Sequence, residues 1–125
     1  MRIIKLDATD STNTHLKFLV QSGLAEDLTT VVAKQQRNGR GQMGTRWQSE
    51  PGKNLTFSVL KLLDGMAIEN VFQLNVMVSL GIVAALEQLQ IPDVSVKWPN
   101  DIMSGNLKIC GILIENTFSN GQIQS

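Results

Sequence analysis

The chain has 125 residues, 42 % of them hydrophobic and 18 % charged, with eleven basic side chains balanced by eleven acidic ones. That length suits one domain with a buried core, and the composition excludes a disordered chain. Zero net charge weighs against bulk binding to nucleic acid or an anionic membrane, and one cysteine excludes an internal disulfide and suits a reducing cytoplasm.

Residues 2–6 (RIIKL) form a short β-type run, and MRIIKLDATD lacks the apolar stretch of a signal peptide. Asp10, Ser11 and Thr12 offer helix-capping chemistry. Leu16, Leu19 and Val20 then follow at helical spacing, with Gly23 placed to end the helix. Residues 28–35 (LTTVVAKQ) are β-branched and read as a strand. Residues 37–53 form a polar loop with four glycines and a proline, and residues 54–63 (NLTFSVLKLL) alternate as a strand. Residues 68–90 predict a long helix whose apolar side chains cover much of its circumference, so it is expected to be largely buried. Gln73, Asn75, Ser79, Glu87 and Gln88 interrupt it, which argues against a membrane span. Residues 94–98 and 108–115 read as strands with a turn over 99–106, and Asn120-Gly121 signals a hairpin whose second strand starts at Gln122. The order β-α-β-β-α-β-β predicts an α/β fold, a sheet with hairpins covered by two helices.

Three polar constellations stand out. Gly39-Arg40-Gly41-Gln42-Met43-Gly44 matches G-x-G-x-x-G after a strand. A dinucleotide fingerprint needs a helix to start there, and here the chain runs on through TRWQSEPGKN into a strand, so a Rossmann site is rejected. A P-loop is excluded because no Gly-Lys-Ser/Thr follows. What remains is a glycine-rich loop with Arg37, Arg40 and Arg46, able to fold over an anion or simply to lie on the surface. The second constellation is Asp10-Ser11-Thr12-Asn13, a helix cap whose hydroxyls and amide can also hold a polar ligand. The third is KWPNDIMSGNLKICGILIE, residues 97–115: Asn100 and Asp101 suit a turn, and Lys108 is a charged group at the start of a strand.

In this order, the motifs Ser11-Thr12-Asn13, GRGQMGTRW (39–47), KWPND (97–101) and KICGILIE (108–115) resemble those of the biotin protein ligases. The resemblance covers almost the whole chain and implies a class II aminoacyl-tRNA synthetase-like fold with a mixed, largely antiparallel sheet. It also implies an activity. ATP and Mg²⁺ activate biotin to biotinyl-5′-AMP, and the biotinyl group then passes to a lysine of a biotin carboxyl carrier protein. Lys108 and Arg40 are the implied catalytic cations. Ser11, Thr12, Asn13, Gln36, Gly39, Arg40, Lys108 and Gly111 are implied to hold biotin. Arg40, Gln42, Trp47, Asn100, Asp101 and Lys108 are implied to border the nucleotide, with no metal site made by the protein alone. A lipoate ligase, or a biotin binder without catalysis, shares much of this pattern.

The chain also departs from the family. Many members carry a basic residue at the position of Gln42 and an arginine at that of Thr45, so the loop here is less basic, and Arg46 is a candidate substitute. The family continues beyond the position of Ser125 into further sheet and a small β-barrel, and some members begin with a DNA-binding helix-turn-helix. The chain therefore reads as a C-terminally truncated catalytic domain (residues 1–125) without a nucleic-acid or membrane partner. It is expected to leave an open strand edge at Gln122–Ser125 that favours a homodimer.

Overall fold

The computed structural model describes residues 1–63 and 65–125. Strand β1 (Ile3–Thr9) leads into helix α1 (Thr12–Gln21) and then into β2 (Thr30–Gln36). A crossover through a helix allows two neighbouring strands to run the same way. β1 and β2 are indeed parallel, with Ile3 opposite Thr30 and Thr9 opposite Gln36. Strand β1 outlasts the predicted RIIKL run because this pairing continues through Ala8 and Thr9. After a short hairpin, β3 (Gly39–Arg40) and β4 (Arg46–Trp47), strand β5 (Thr56–Val59) returns antiparallel along the other side of β2.

Ser11 caps α1 through its hydroxyl, which accepts a long 3.5 Å bond from the Thr14 N–H. Gly23, at φ +67°, ends the helix as expected. The Gly23 N–H reaches the Val20 carbonyl, and the Leu24 N–H reaches that of Leu19. Leu16 and Leu19 pack with Val31 and Leu60, flanked by Ile4, Leu6, Val20 and Ala25. Each fully buried side chain of this size contributes about 1.5–3 kcal/mol.

The second half comprises β6 (Met66–Ala67), α2 (Val71–Gln88), β7 (Val94–Lys97), β8 (Asp101–Ser104), β9 (Leu107–Gly111), β10 (Phe118–Ser119) and β11 (Gln122–Ile123). The α/β class and the mixed, largely antiparallel pairing are as expected, but the strands do not form one sheet. They form separate ladders ordered β1-β2-β5, β3-β4, β7-β8-β9 and β10-β11-β6.

Three further expectations are corrected. Residues 99–106 are not one turn. Asp101–Ser104 is the central strand of its ladder, and Ile102, fully buried, lies between Val96 and Cys110. Helix α2 is not largely buried: Ser79 is its one buried residue, while Phe72, Met77 and Leu80 are about three-fifths exposed. The chain exposes 8517 Å², where a compact monomer of 13.7 kDa exposes about 6600 Å², so much of the apolar face of α2 lacks a covering layer. By length and composition alone Ile68–Gln88 could cross a membrane, with a mean hydropathy of 1.5 over an 18-residue window, and its polar interruptions weigh against that. Finally, β11 is not an open edge. The Asn120-Gly121 hairpin forms, with both residues at positive φ, but β11 lies between β10 and β6 and buries Ile123 completely.

The end of α2 carries the first prediction. The Gln90 N–H bonds the Glu87 carbonyl and the Ile91 N–H that of Leu86, the same closure as in α1, but Gln90 stands at φ +58° where α1 has glycine. A left-handed conformation strains a residue with a Cβ. Gln90→Gly should therefore stabilise the fold by about 0.5–1 kcal/mol, after the extra unfolded-state entropy of glycine is subtracted. The urea midpoint should rise; an unchanged or lower midpoint refutes the strain.

Candidate active site

The C-terminal ends of the parallel strands β1 and β2 and the N-terminus of α1 meet at one place. The Arg37 and Asn38 N–H groups bond the carbonyls of Thr9 and Asp10, which ties the exit of β2 to the start of the helix. There the Gln36 carboxamide oxygen accepts from the Thr12 N–H (2.8 Å) and the Thr12 hydroxyl (3.0 Å). The Thr12 and Ser58 hydroxyls are 2.7 Å apart, and the Ser58 hydroxyl donates to the Asn13 carboxamide oxygen. Asn13 Nδ2 then donates to Glu115 Oε2 at 3.0 Å, and the same oxygen accepts from Arg40 Nη2 at 3.2 Å. Arg40 also donates to the Thr14 hydroxyl at 3.1 Å. Of the residues chosen from sequence, this network joins Thr12, Asn13, Gln36 and Arg40. Ser11 stays apart, spent on capping.

Ser58, Thr14 and Glu115 were missed. The fold, not the residue type, brings Ser58 in. In LTFSV the polar Thr56 and Ser58 are buried while Phe57 and Val59 are about half exposed, so β5 turns its polar face inward, the reverse of an ordinary strand.

A second group forms around Trp47. The Lys108 ammonium lies 5.3 Å from the centre of the Trp47 ring and 2.7 Å from Asp101 Oδ1. A bulge sets this up. Asp101 faces Gly111 and Ile102 faces Cys110, but Met103 faces Lys108, so Ile109 is the extra residue. Cross-strand partners share a face, and alternate residues do so along a strand. The bulge therefore brings Lys108, Gly111 and Asp101 to one face, although Lys108 and Gly111 are three apart in sequence. A Cβ on Gly111 would lie 2.4 Å from the Trp47 ring, so only glycine lets the indole lie there. A Cβ on Gly39 would lie 2.8 Å from both Gln36 Nε2 and the Trp47 carbonyl, so Gly39 lets the two groups approach each other.

The remaining predicted residues play other parts. Asn100 Nδ2 donates to the Ile112 carbonyl (3.0 Å) and its own carbonyl accepts from the Ile112 N–H (2.8 Å), so it fastens the turn to the chain after β9. Trp98, beside them, packs against Phe72 of α2 with the rings tilted by 49° and their centres 5.3 Å apart. Gln42 acts through its carbonyl, which accepts from the Thr45 hydroxyl and N–H and closes the tip of the loop. Arg46 points back to the Arg37 carbonyl and the Asn38 side chain, both at 3.4 Å, not toward Arg40. With Gln36, Arg37 and Trp47 it lines an open hollow of ≈ 600 Å³.

Residues 6–125 match the Biotin/lipoate A/B protein ligase family. The chain belongs to this family. It is 34 % identical over 117 residues to the Bifunctional ligase/repressor BirA of Escherichia coli (strain K12), a match that covers 93 % of this chain and 35 % of that protein. It is 32 % identical to the Biotin--[acetyl-CoA-carboxylase] ligase of Paracoccus denitrificans, covering 96 % of this chain and 49 % of that one. The solved biotin protein ligase from Aquifex aeolicus in complex with biotin and ATP superposes at a TM-score of 0.76 with 34 % identity, over 98 % of this chain and 49 % of that one. The Leishmania major enzyme in complex with biotin gives 0.78 and 30 %, over 98 % and 53 %. The likeness establishes the fold as that of the biotin protein ligases, of which this chain spans about half or less.

Cys110 lies beside the Trp47 group. Burial pushes its thiol above the ordinary value, the Lys108 ammonium opposes this, and the Asp101 carboxylate adds to it. Since the thiolate is the reactive form, Cys110 should react with a disulfide reagent at pH 7.5 more slowly than an exposed cysteine, and faster as pH rises toward its raised pKa. Lys108→Ala should slow it further. A rate equal to that of free cysteine, flat with pH, refutes this environment.

Proposed function

We propose that this chain carries the biotin-activating site of a biotin protein ligase, forming biotinyl-5′-AMP from biotin and ATP and passing the biotinyl group to a lysine of a biotin carboxyl carrier protein. The observation that carries the reading is the convergence of Lys108, Trp47 and Gly111 on one face of β9, in a chain of this family whose solved neighbours hold biotin and ATP.

A biotin oxygen attacks the α-phosphorus and pyrophosphate leaves with the electrons of the broken P–O bond. A carboxylate approaching a phosphate meets like-charge repulsion. A fixed ammonium at Lys108 and a guanidinium at Arg40 offset it and stabilise the charge of the transition state. To do so, each must exchange a protein carboxylate, Asp101 or Glu115, for the substrate. The network of Thr12, Asn13, Gln36 and Ser58 supplies donors and acceptors for a polar ring such as biotin's ureido group. Trp47 offers a flat face on the nucleotide side. In the second step the carrier's lysine amine attacks the acyl carbon and AMP leaves.

Among the described residues no three His, Cys, Asp or Glu side chains converge, and both nearby carboxylates are engaged with cations. Mg²⁺ would be held chiefly by the nucleotide phosphates and would offset the charge of the pyrophosphate as it leaves. A cytoplasmic setting is part of the proposal.

Calorimetry with biotin and with lipoate, together with pyrophosphate release in the presence of ATP, tests the reading. Biotin-dependent release supports it. Lipoate-dependent release makes the chain a lipoate ligase, and biotin binding without release makes it a binder only.

A further inference from the structure

Glu115 is absent from the residues that the sequence singled out for the site, yet it is where the site's polar network and its arginine meet. One oxygen, Oε2, receives both Asn13 Nδ2 and Arg40 Nη2. The segment leading to it is anchored: Ile112, three residues earlier, is buried, and Asn100 holds both its N–H and its carbonyl. The Glu115 side chain is 41 % exposed and that of Arg40 49 %, so the ion pair is weak enough for an incoming anion to break.

Glu115 also sets the polarity of the network. An amide can turn either its oxygen or its nitrogen to a neighbour. A carboxylate only accepts, so Glu115 takes the Asn13 nitrogen and leaves the Asn13 oxygen facing Ser58. Ser58 has one proton, and it goes to that oxygen. The hydrogen bonds therefore run in one direction from Ser58 through Asn13 to Glu115, while the Thr12 hydroxyl gives its proton to Gln36.

We propose that Glu115 is a positioning residue that couples the two halves of the site: it orients Asn13 and, through it, Ser58, and it holds Arg40 until the anionic group of the substrate displaces it. This rests on the biotin reading. A ligand that carries an anion must compete with Glu115 for Arg40, and a neutral analogue need not.

The test compares biotin with biotinol, the alcohol that lacks the carboxylate, by calorimetry on the unaltered chain and on Glu115→Gln. Glutamine keeps the size but removes the charge and the fixed polarity. Biotinol should bind Glu115→Gln more weakly, because Asn13 loses its orientation. The preference for biotin over biotinol should rise about three- to fivefold, as expected for the loss of an exposed ion pair. In an Arg40→Met background the same change should leave that preference unaltered, which separates competition for Arg40 from a general loss of negative charge. A preference that does not change, or changes equally without Arg40, overturns the proposal. A readout without ligand accompanies it: the guanidinium ¹⁵N resonances of Arg40 should move in Glu115→Gln, and unmoved resonances overturn the clasp even if biotin binds. If the resonances move but the unaltered chain binds neither ligand, the clasp stands and the biotin reading falls.

Discussion

Lys108→Ala should lower biotin-dependent pyrophosphate release by on the order of 10²–10³-fold or more, the effect of removing one preorganised group that stabilises developing charge. The fold should survive. The side chain is 45 % exposed and its ion pair with Asp101 lies near the surface, so the pair contributes little to stability. Two contacts besides the substrate would be lost, the 2.7 Å bond to Asp101 and the ammonium over Trp47 at 5.3 Å. Neither holds an element in place: β9 is fastened by its ladder with β8 and by Asn100 just beyond it. The expected result is a flat activity trace with an unchanged circular dichroism spectrum. Unchanged pyrophosphate release would remove Lys108 from the chemistry. Loss of the spectrum would make it a structural lysine.

Gly111→Ala should impair the site by a different route. The added methyl would stand 2.4 and 2.8 Å from two carbons of the Trp47 ring and 3.2 Å from the Lys108 side chain. The backbone of Trp47 cannot easily yield, because β4 is paired with β3 through Gly39. The indole must therefore swing away and take its contact with Lys108 along. Overpacking of this kind costs about 1–3 kcal/mol. If the bound state needs the indole where it now lies, affinity for biotin and ATP should fall about ten- to a hundredfold. The emission of Trp47 should also shift, and Trp47→Phe in the same background identifies the signal against that of Trp98. Undiminished affinity with a shifted emission would show that the ring's present place is not the one used in binding.

The sequence by itself determined the local parts. The caps of α1 at Ser11 and Gly23, its apolar face of Leu16 and Leu19, and the Asn120-Gly121 hairpin all follow from chemistry within a few residues. Family membership was legible as well, because four motifs in a fixed order carry that information without any knowledge of their contacts. What the sequence misplaced depends on distant partners. Asp101–Ser104 holds turn-forming residues beside it and reads as a turn, yet it is a strand because two neighbours, β7 and β9, satisfy its backbone on both sides. β11 looked like an open edge because β6, more than fifty residues earlier, cannot be seen as its partner from local pattern. Helix α2 is apolar enough to be buried, but burial needs a second surface, and composition does not say where that surface lies.

The site divides in the same way. Lys108, Gly111 and Trp47 could be named from motifs, but only the bulge at Ile109 decides that they share a face. Residue type alone does not place Ser58 or Glu115 in the site, since a serine in a strand and a glutamate after one are ordinary surface residues by type. They enter the site because β5 and the segment after β9 converge on the start of α1, and a hydrogen bond forms only between groups that the tertiary fold brings within about 3 Å.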